Sequence, residues 1–275
     1  MKTLRRLAKR VGLRPADNFV LLCHQRSGSN MLMSAVSRHP GIAYYGQLYK
    51  DDPEHRRRMD QVARMVYTGA PFDDTLDQRA RFERYEQDRS GRSPSRNTIA
   101  YTRRFFAEAH RRTAARYVGI KFHGGTLYHD EIARLFLDGE YRVIIQHREN
   151  LLAAAISWYQ ARELNQWRRN DGEPVITPTL TMDIERLHWF IENTRRDVAL
   201  WKKLCTEAGQ PYLEQTYEGI LIDTSAAAGR FWQHLGLDPL PRVEVRTKKL
   251  IKTYDHILNI DVIRRELAGS ENGEV

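Results

Sequence analysis

Short apolar runs alternate with longer stretches of helical pattern along most of the chain. The two clearest runs, 19–23 (FVLLC) and 141–146 (YRVIIQ), have the length and composition of buried parallel strands. Further strands are predicted at 42–45, 117–122 and 211–217. Helices are predicted at 30–37, 130–137, 150–165, 183–207 and 225–235. This alternation predicts an α/β fold with three layers, in which helices cover both faces of a mainly parallel central sheet.

Residues 51–116 differ from the rest of the chain. They are rich in arginine, poor in aliphatic side chains and interrupted by Pro71 and by the run SGRSP at 90–94. They predict a helical insertion within one domain that spans residues 1–275. Two interpretations of the insertion stay open at this point: a lid over a substrate, or helices with a solvated outer face.

The net charge of +9 is concentrated in two parts of the chain. Residues 1–14 carry six basic side chains and no acid, residues 51–116 carry 15 basic and 11 acidic ones, and residues 117–275 have a net charge of −3. Of the 44 basic residues 35 are arginine, which suits forked binding of oxyanions. Residues 1–14 predict a basic amphipathic arm, for which solvent exposure is preferred over weak contact with a membrane surface.

Several classes of protein are excluded by features that the sequence lacks. Its apolar runs are too short to span a bilayer, and no apolar stretch of a secretory signal follows the first basic residues. Cys23 and Cys205 cannot form a disulfide framework, and no cysteine or histidine cluster has the spacing of a zinc site. We therefore expect a cytoplasmic protein without a bound metal.

A glycine-containing turn follows the first predicted strand and opens the first helix. Such a turn presents backbone N–H groups at the positive end of the helix dipole, where phosphate groups bind. Gly28 allows close approach of the backbone, and Arg26 supplies a fixed charge. The motifs GxxxxGK[ST] and GxGxxG are both absent, so the turn predicts a P-loop-like phosphate site of another kind. The residues of this predicted site are Arg26, Ser27, Gly28, Ser29, Asn30 and Met31.

A second group of anion-binding side chains follows the strand at 141–146. Arg148 stands at the end of this strand, and Ser157 lies nine residues later on the predicted helix. The carboxyl ends of neighbouring parallel strands meet at one edge of the sheet, where α/β proteins bind ligands. We therefore expect Arg148 and the first loop to bind one ligand that carries two separated phosphates.

The loop QRSGSN at 25–30, together with the segment at 147–167, resembles the sulfotransferases that use 3′-phosphoadenosine 5′-phosphosulfate (PAPS). The resemblance is closest to bacterial carbohydrate sulfotransferases that act on nodulation factors and on trehalose glycolipids. It implies that the pattern [RK]-[ST]-G-[ST] at 26–29 binds the 5′-phosphosulfate. It also implies that Arg148 and Ser157 bind the 3′-phosphate.

Weaker similarity to the same family extends toward the carboxyl end of the chain. It includes Trp201, the pair Tyr217 and Glu218, and the run KKLIKTYDHILN at 248–259. The resemblance implies that Tyr217 and one lysine of this run, for which we choose Lys252, contact the nucleotide.

Transfer of a sulfuryl group to an alcohol requires stabilisation of the leaving phosphate and removal of a proton from the acceptor. Lys121, at the end of the strand predicted at 117–122, would reach the leaving oxygen, with a merely solvated lysine as the alternative.

Many relatives carry a glutamate where this chain has Gln47, and an amide cannot accept the proton. The run of Lys121, Phe122 and His123 resembles the Lys-x-His segment of sulfotransferases that modify small alcohols and phenols. That resemblance implies His123 as the base and leaves Gln47 to hydrogen-bond the acceptor.

The function expected from these residues is transfer of the sulfuryl group of PAPS to a hydroxyl of a carbohydrate or glycolipid, without a metal and without a nucleic-acid partner. A phosphoryl transferase or another nucleotide-binding protein is one alternative, although the lysine of GxxxxGK[ST] and an acidic metal site are missing. A non-catalytic module that binds polyanions through residues 1–14 and 51–116 is the other, and its binding would weaken steeply with salt. Relatives of this kind often dimerise, so the resemblance leaves a homodimer open.

Overall fold

The computed structural model describes residues 17–47, 105–107, 109–123, 141–164, 179–243 and 254–267. Several sequence-based expectations lie outside these residues. They are the arm at 1–14, most of the insertion at 51–116, the helix at 130–137 and the contact through Lys252.

Five strands form one sheet, and every neighbouring pair among them is parallel. The strands are β1 (Asp17–Cys23), β2 (Ile42–Gln47), β3 (Tyr117–His123), β4 (Tyr141–His147) and β5 (Tyr212–Thr216). Their order across the sheet is β2-β3-β1-β4-β5. This arrangement confirms the predicted α/β fold with a parallel central sheet.

Helices connect and cover the strands. Those with described bounds are α1 (Ser29–Val36), α2 (Leu151–Glu163), α3 (Ile184–Glu207), α4 (Tyr217–Ile222), α5 (Thr224–His234) and α6 (Ile260–Leu267). The sequence pattern predicts α1, α2, α3 and α5, whereas α4 and α6 are found only in the structure. No helix within the described residues has the length and apolar character needed to span a bilayer.

Side-chain caps determine where the two longest of these helices begin. Asn150 Oδ1 accepts a hydrogen bond from Ala153 N at 2.8 Å, directly before α2. Asp183 Oδ1 accepts one from Arg186 N at 3.1 Å, directly before α3. Both carboxamide and carboxylate caps satisfy amide groups that the first helical turn leaves without a partner.

The fifth strand ends earlier than the sequence predicts. The apolar pattern extends it to residue 217, but β5 ends at Thr216, and Tyr217 is the first residue of α4. The Thr216 hydroxyl accepts a hydrogen bond from Gly219 N at 3.2 Å, and Glu218 places an acid in the first helical turn. These two helix-start features outweigh the strand preference of tyrosine.

Strand β1 is buried on both faces, as its unbroken apolar run predicts. Phe19 and Leu21 belong to the apolar cluster formed with α1 and α5. Val20 and Leu22 belong to a different cluster, to which α3 contributes Trp201. Helices therefore cover both faces of the sheet and give the predicted three layers.

The described end of the insertion packs on the sheet. Residues 105–107 and 109–112 are helical, and Phe105 and Phe106 are buried in the cluster that contains Val20. The Phe106 ring meets the Tyr141 ring of β4 edge to face, with 5.1 Å between the centroids. This end of the insertion therefore contributes to the core.

Gly119 in β3 is required by the close approach of Phe19 on the neighbouring strand. A methyl group at position 119 would lie 1.9 Å from Phe19 Cζ, far inside van der Waals contact. The Phe19 ring fills this space and meets the Phe231 ring edge to face, with 5.4 Å between the centroids. A glycine in the strand interior thus makes room for a core ring.

The strand order locates a crevice for a ligand. The chain passes from β1 toward β2 on one side of the sheet, whereas it passes from β4 to β5 on the other side. In parallel α/β sheets such a change of direction opens a crevice beyond the carboxyl ends of the two adjacent strands. Here the strands are β1 and β4, which are followed by the predicted phosphate loop and by Arg148.

Candidate functional site

The loop between β1 and α1 is held in one shape by side-chain hydrogen bonds. Ser27 Oγ donates to the His24 carbonyl at 2.8 Å, and Gln146 Nε2 of β4 donates to the Ser27 carbonyl at 2.6 Å. The backbone is left-handed at Arg26 and Gly28, with φ of 64° and 78°. Gly28 is the N-cap residue of α1, so the positive end of the helix lies at the carboxyl edge of the sheet.

Lys121 reaches the start of α1 from the neighbouring strand β3. Its Nζ donates to Asn30 Oδ1 at 2.9 Å and lies 3.4 Å from Ser29 Oγ. The residue is only 6% exposed, so the alternative of a merely solvated lysine is wrong. A buried ammonium group at a helix N-terminus favours an anionic ligand beside it.

The two predicted anion-binding groups meet in the structure. Arg26 Nε donates to Ser157 Oγ at 2.9 Å, and Ser157 is buried in the second turn of α2. Arg148 follows β4, and its guanidinium carbon lies 4.6 Å from the centre of the Tyr217 ring. Arg26, Arg148, Ser157 and Tyr217 therefore surround one space between the ends of β1 and β4.

The charge of Arg26 is destabilised by its surroundings. Burial lowers the pKa of its guanidinium group, and the positive charge of Arg148 lowers this pKa further. An arginine nevertheless remains charged at neutral pH. An anion bound beside both guanidinium groups would offset the desolvation and the repulsion, so this pair favours a phosphate or sulfate group.

The Tyr217 ring lies against both Arg148 and Gly28. Arg148 lies over its face, and its edge is so close to Gly28 that a methyl group there would be 2.4 Å from Tyr217 Cδ2. The positive φ of Gly28 independently favours glycine. The sequence implies Tyr217 only through family resemblance, and the structure shows which groups its ring contacts.

His123, Gln47 and Met31 have different positions relative to this space. His123 is the last residue of β3 and pairs with Cys23, the last residue of β1, so it lies at the same edge of the sheet. Gln47 is the last residue of β2, and its backbone pairs with Lys121. Met31 lies in the first turn of α1, where its side chain packs on an apolar cluster and its backbone N–H donates to the Gly28 carbonyl at 2.9 Å.

The sequence does not single out Gln146, and it marks Glu218 only through family resemblance and without a role. Gln146 is fully buried and binds the loop carbonyl described above. Glu218 accepts hydrogen bonds from Glu149 N at 3.0 Å and from Asn150 N at 3.3 Å. A glutamine inside an apolar strand run is a signal that could have revealed Gln146. For Glu218 the resemblance marks the residue but not its hydrogen-bond partners, which lie far away in the sequence.

His24 anchors the first residue of the loop. Its Nε2 lies 3.1 Å from Asp197 Oδ2 of α3, and its ring stacks on the Trp201 ring with 5.5 Å between the centroids. His24 and Asp197 are both buried. Because the His24 carbonyl accepts the hydrogen bond from Ser27, these contacts help to maintain the shape of the loop.

The side chains around the crevice suit a ligand with two phosphates. Two guanidinium groups, one ammonium group and serine hydroxyls provide donors on both sides. Arg148 Nε is buried without a hydrogen-bond acceptor in the described part of the chain, and lies 3.6 Å from Glu218 Oε1. Within the same residues, no group of three histidine, cysteine, aspartate or glutamate side chains could hold a metal ion.

The strand order and the glycine turn after β1 define a parallel α/β fold with a P-loop-like turn. Among solved structures, the crystal structure of a sulfotransferase from Mycobacterium avium has a similar fold. The TM-score is 0.50 at 13% sequence identity, and the match covers 98% of this chain and 79% of that chain. The chain therefore has a sulfotransferase fold.

Two further solved structures are similar at lower scores. The sulfotransferase domain of the olefin synthase from Synechococcus has a TM-score of 0.48 and 15% identity, covering 82% of this chain and 75% of that chain. A sulfotransferase from Alicyclobacillus acidocaldarius has a TM-score of 0.47 and 16% identity, covering 93% of this chain and 91% of that chain. The sequence matches no protein-family model and no curated protein.

Proposed function

We propose that this protein is a sulfotransferase that moves the sulfuryl group of PAPS to a hydroxyl group. The observation that carries the proposal is the hydrogen bond from Arg26 Nε to Ser157 Oγ, which is 2.9 Å long. It joins the loop after β1 to the helix that follows Arg148. A nucleotide with phosphates at both its 5′ and 3′ positions needs such paired anion sites.

Each end of the proposed ligand has donors of its own. For the 5′-phosphosulfate these are the amide groups at the start of α1, together with Lys121 and Arg26. For the 3′-phosphate they are the guanidinium group of Arg148 and the hydroxyl of Ser157. The buried Arg148 Nε and the repulsion between Arg26 and Arg148 support an anion in this space.

The residues at the strand ends suggest how the transfer proceeds. PAPS, when bound, supplies the sulfuryl group. Lys121 and Arg26 would stabilise the negative charge on the phosphate oxygen as its bond to sulfur breaks. His123 would accept the proton of the acceptor hydroxyl while the hydroxyl oxygen bonds to sulfur. The products are a sulfate ester and 3′-phosphoadenosine 5′-phosphate, and His123 then releases the proton to solvent.

The acceptor that we propose is a hydroxyl of a carbohydrate or glycolipid. The support is the similarity of the loop to carbohydrate sulfotransferases, together with Gln47 at the end of β2, whose amide can hydrogen-bond a hydroxyl. Incubation with labelled PAPS and a panel of sugars, glycolipids and simple phenols tests this choice. Label in phenols alone would contradict the acceptor class and leave sulfuryl transfer standing.

A calorimetric titration tests the nucleotide. We expect 3′-phosphoadenosine 5′-phosphate to bind at least about tenfold more tightly than ADP or ATP, because only it has a phosphate for Arg148 and Ser157. The variant Arg148→Met should lose this preference. The matched variant Arg264→Met, which removes an exposed arginine of α6 that pairs with Asp261, should keep it. Equal affinity of the unmodified protein for all three nucleotides would exclude the proposal.

The same titration separates the alternative functions. A phosphoryl transferase would prefer ATP over the 3′-phosphorylated nucleotide. A polyanion-binding module would show no preference among nucleotides, and its affinity for a nucleic acid would fall steeply as salt is raised.

A further inference from the structure

We propose that Glu218 is a positioning residue, which holds Arg148 and the start of α2 in the geometry that binds the 3′-phosphate. The inference rests on the proposed function and extends it to a residue that need not touch the ligand. Three contacts within the described residues carry it. Glu218 Oε2 accepts a hydrogen bond from Glu149 N at 3.0 Å, Oε1 accepts one from Asn150 N at 3.3 Å, and Oε1 lies 3.6 Å from Arg148 Nε.

These three contacts fall on consecutive residues between β4 and α2. Asn150 is the N-cap residue of α2, and its side chain accepts a hydrogen bond from Ala153 N at 2.8 Å. Ser157 lies in the second turn of the same helix. The Glu218 carboxylate on α4 therefore contacts Arg148 directly. It also binds the backbone at the N-terminus of α2, the helix that carries Ser157.

The neighbouring side chain completes the arrangement around Arg148. Tyr217 precedes Glu218 on α4, and its ring lies under the guanidinium group at 4.6 Å. The carboxylate of Glu218 lies near Nε of the same group. Two consecutive residues of one helix thus limit how the Arg148 fork can turn, and less rotamer freedom remains to be lost when an anion binds.

Removal of the Glu218 carboxylate could change the affinity for the phosphate in either direction, depending on whether its charge or its positioning of Arg148 has the larger effect. A negative charge beside a phosphate site repels the phosphate, so electrostatics alone predicts tighter binding when the charge is removed. If the carboxylate positions Arg148 and α2, its removal instead weakens binding, because the donors are no longer held in place. The sign of the change in affinity therefore distinguishes the two effects.

The experiment compares Glu218→Ala and Glu218→Gln with the unmodified protein by calorimetry. We expect Glu218→Ala to weaken binding of 3′-phosphoadenosine 5′-phosphate by about tenfold, with little change for ADP. The affinity of Glu218→Gln for the same nucleotide should lie between those of Glu218→Ala and the unmodified protein. Its amide oxygen still accepts hydrogen bonds from the backbone but lacks the charge that attracts Arg148. Glu192→Ala removes a carboxylate that pairs with Arg195 on α3 and is the matched control, for which no change is expected.

Unchanged or tighter binding of the bisphosphate in both Glu218 variants would overturn the inference. So would equal weakening for both nucleotides, because it would indicate general damage to the fold. If Glu218→Ala does not fold, as judged by its thermal transition, the same comparison with Glu218→Gln decides the question. A failure of the proposed function is recognised separately, because the unmodified protein would then show no preference for the 3′-phosphorylated nucleotide.

Discussion

Arg26 Nε donates a hydrogen bond to Ser157 Oγ at 2.9 Å, across a separation of 131 residues in the sequence. The contact joins the left-handed loop after β1 to the second turn of α2. It orients the Arg26 guanidinium group, whose pKa is lowered by burial and further by the positive charge of Arg148. Burial contributes more to this lowering than Arg148 does.

Removal of the Ser157 hydroxyl should weaken nucleotide binding. We expect Ser157→Ala to reduce the affinity for 3′-phosphoadenosine 5′-phosphate by about tenfold, because the phosphate loses a donor and Arg26 loses its hydrogen-bond partner on α2. Calorimetry measures the change. Ser34→Ala, which removes an exposed hydroxyl that bonds the Met31 carbonyl, is the control and should bind normally. An unchanged affinity for Ser157→Ala would show that this contact has no part in binding.

Replacement of His123 should separate binding from transfer. We expect His123→Ala to lower the rate of sulfuryl transfer by about 10²- to 10⁴-fold, the range for loss of a general base. The affinity for 3′-phosphoadenosine 5′-phosphate should stay unchanged, because the proposed role of His123 is toward the acceptor. His188→Ala, at an exposed position of α3, is the control. Near-normal turnover of His123→Ala would assign the base to another group.

A methyl group at position 119 should destabilise the sheet. In Gly119→Ala the new methyl overlaps the Phe19 ring, and overpacking of this kind costs about 1–3 kcal/mol in the free energy of unfolding. Urea denaturation measures this loss. Adding Phe19→Leu should recover part of it, so the two changes are not additive. A destabilisation that is equal with and without the Phe19 ring would contradict the overlap.

Gly229 is the matched control for Gly119, because a methyl group added there would meet no close neighbour outside its helix. In Gly229→Ala on α5 the nearest atom outside the helix backbone and the adjacent residues is Pro239 Cβ, which would lie 4.0 Å from the new methyl group in an ordinary contact. Alanine in place of a helical glycine stabilises by about 0.5–1 kcal/mol. The two substitutions should therefore change stability in opposite directions.

Glu214 on β5 should make the stability depend on pH. Burial acts to raise the pKa of its carboxyl group, but hydrogen bonds from Lys202 and His147 outweigh burial and hold the pKa below its ordinary value of 4.5. A carboxyl with a lowered pKa in the folded state contributes stability above its unfolded pKa, and this stability is lost as the pH falls through the folded value. We therefore expect Glu214→Gln to be less stable than the unmodified protein at pH 7.

Denaturation at two pH values checks this prediction. The difference in unfolding free energy between Glu214→Gln and the unmodified protein should be present at neutral pH and should shrink once the carboxyl is protonated in both states. A difference of the same size below pH 3 would mean that the side chain acts through its packing and not through its charge.

Most of the fold follows from the order of polar and apolar residues, for reasons visible at particular strands. Residues 19–23 and 141–146 lie in strands with neighbours on both sides and helices on both faces, so an unbroken apolar run marks them. Helix α6 is one exception, and Tyr217 is another. A single residue decides between the end of a strand and the start of a helix there, and the Thr216 cap favours the helix.

The candidate site is only partly predictable from the chain. Arg26, Gly28 and Arg148 can be identified because parallel α/β folds bind ligands at strand ends, and these residues follow strands. Glu218 is marked only by family resemblance, because its hydrogen-bond partner Asn150 lies 68 positions away in the sequence. Sequence patterns report periodicity within a segment and carry little information on which side chains of distant segments form hydrogen bonds with one another.

The sequence by itself thus determined the layers, the parallel sheet and the two loops that face the crevice, because burial imposes a repeating pattern on each segment. The tertiary structure alone decided how these loops meet: Ser157 receives the hydrogen bond of Arg26, Tyr217 lies between Gly28 and Arg148, and Glu218 binds the start of α2. These contacts depend on the packing of whole elements against one another, and such packing leaves no local pattern in the chain.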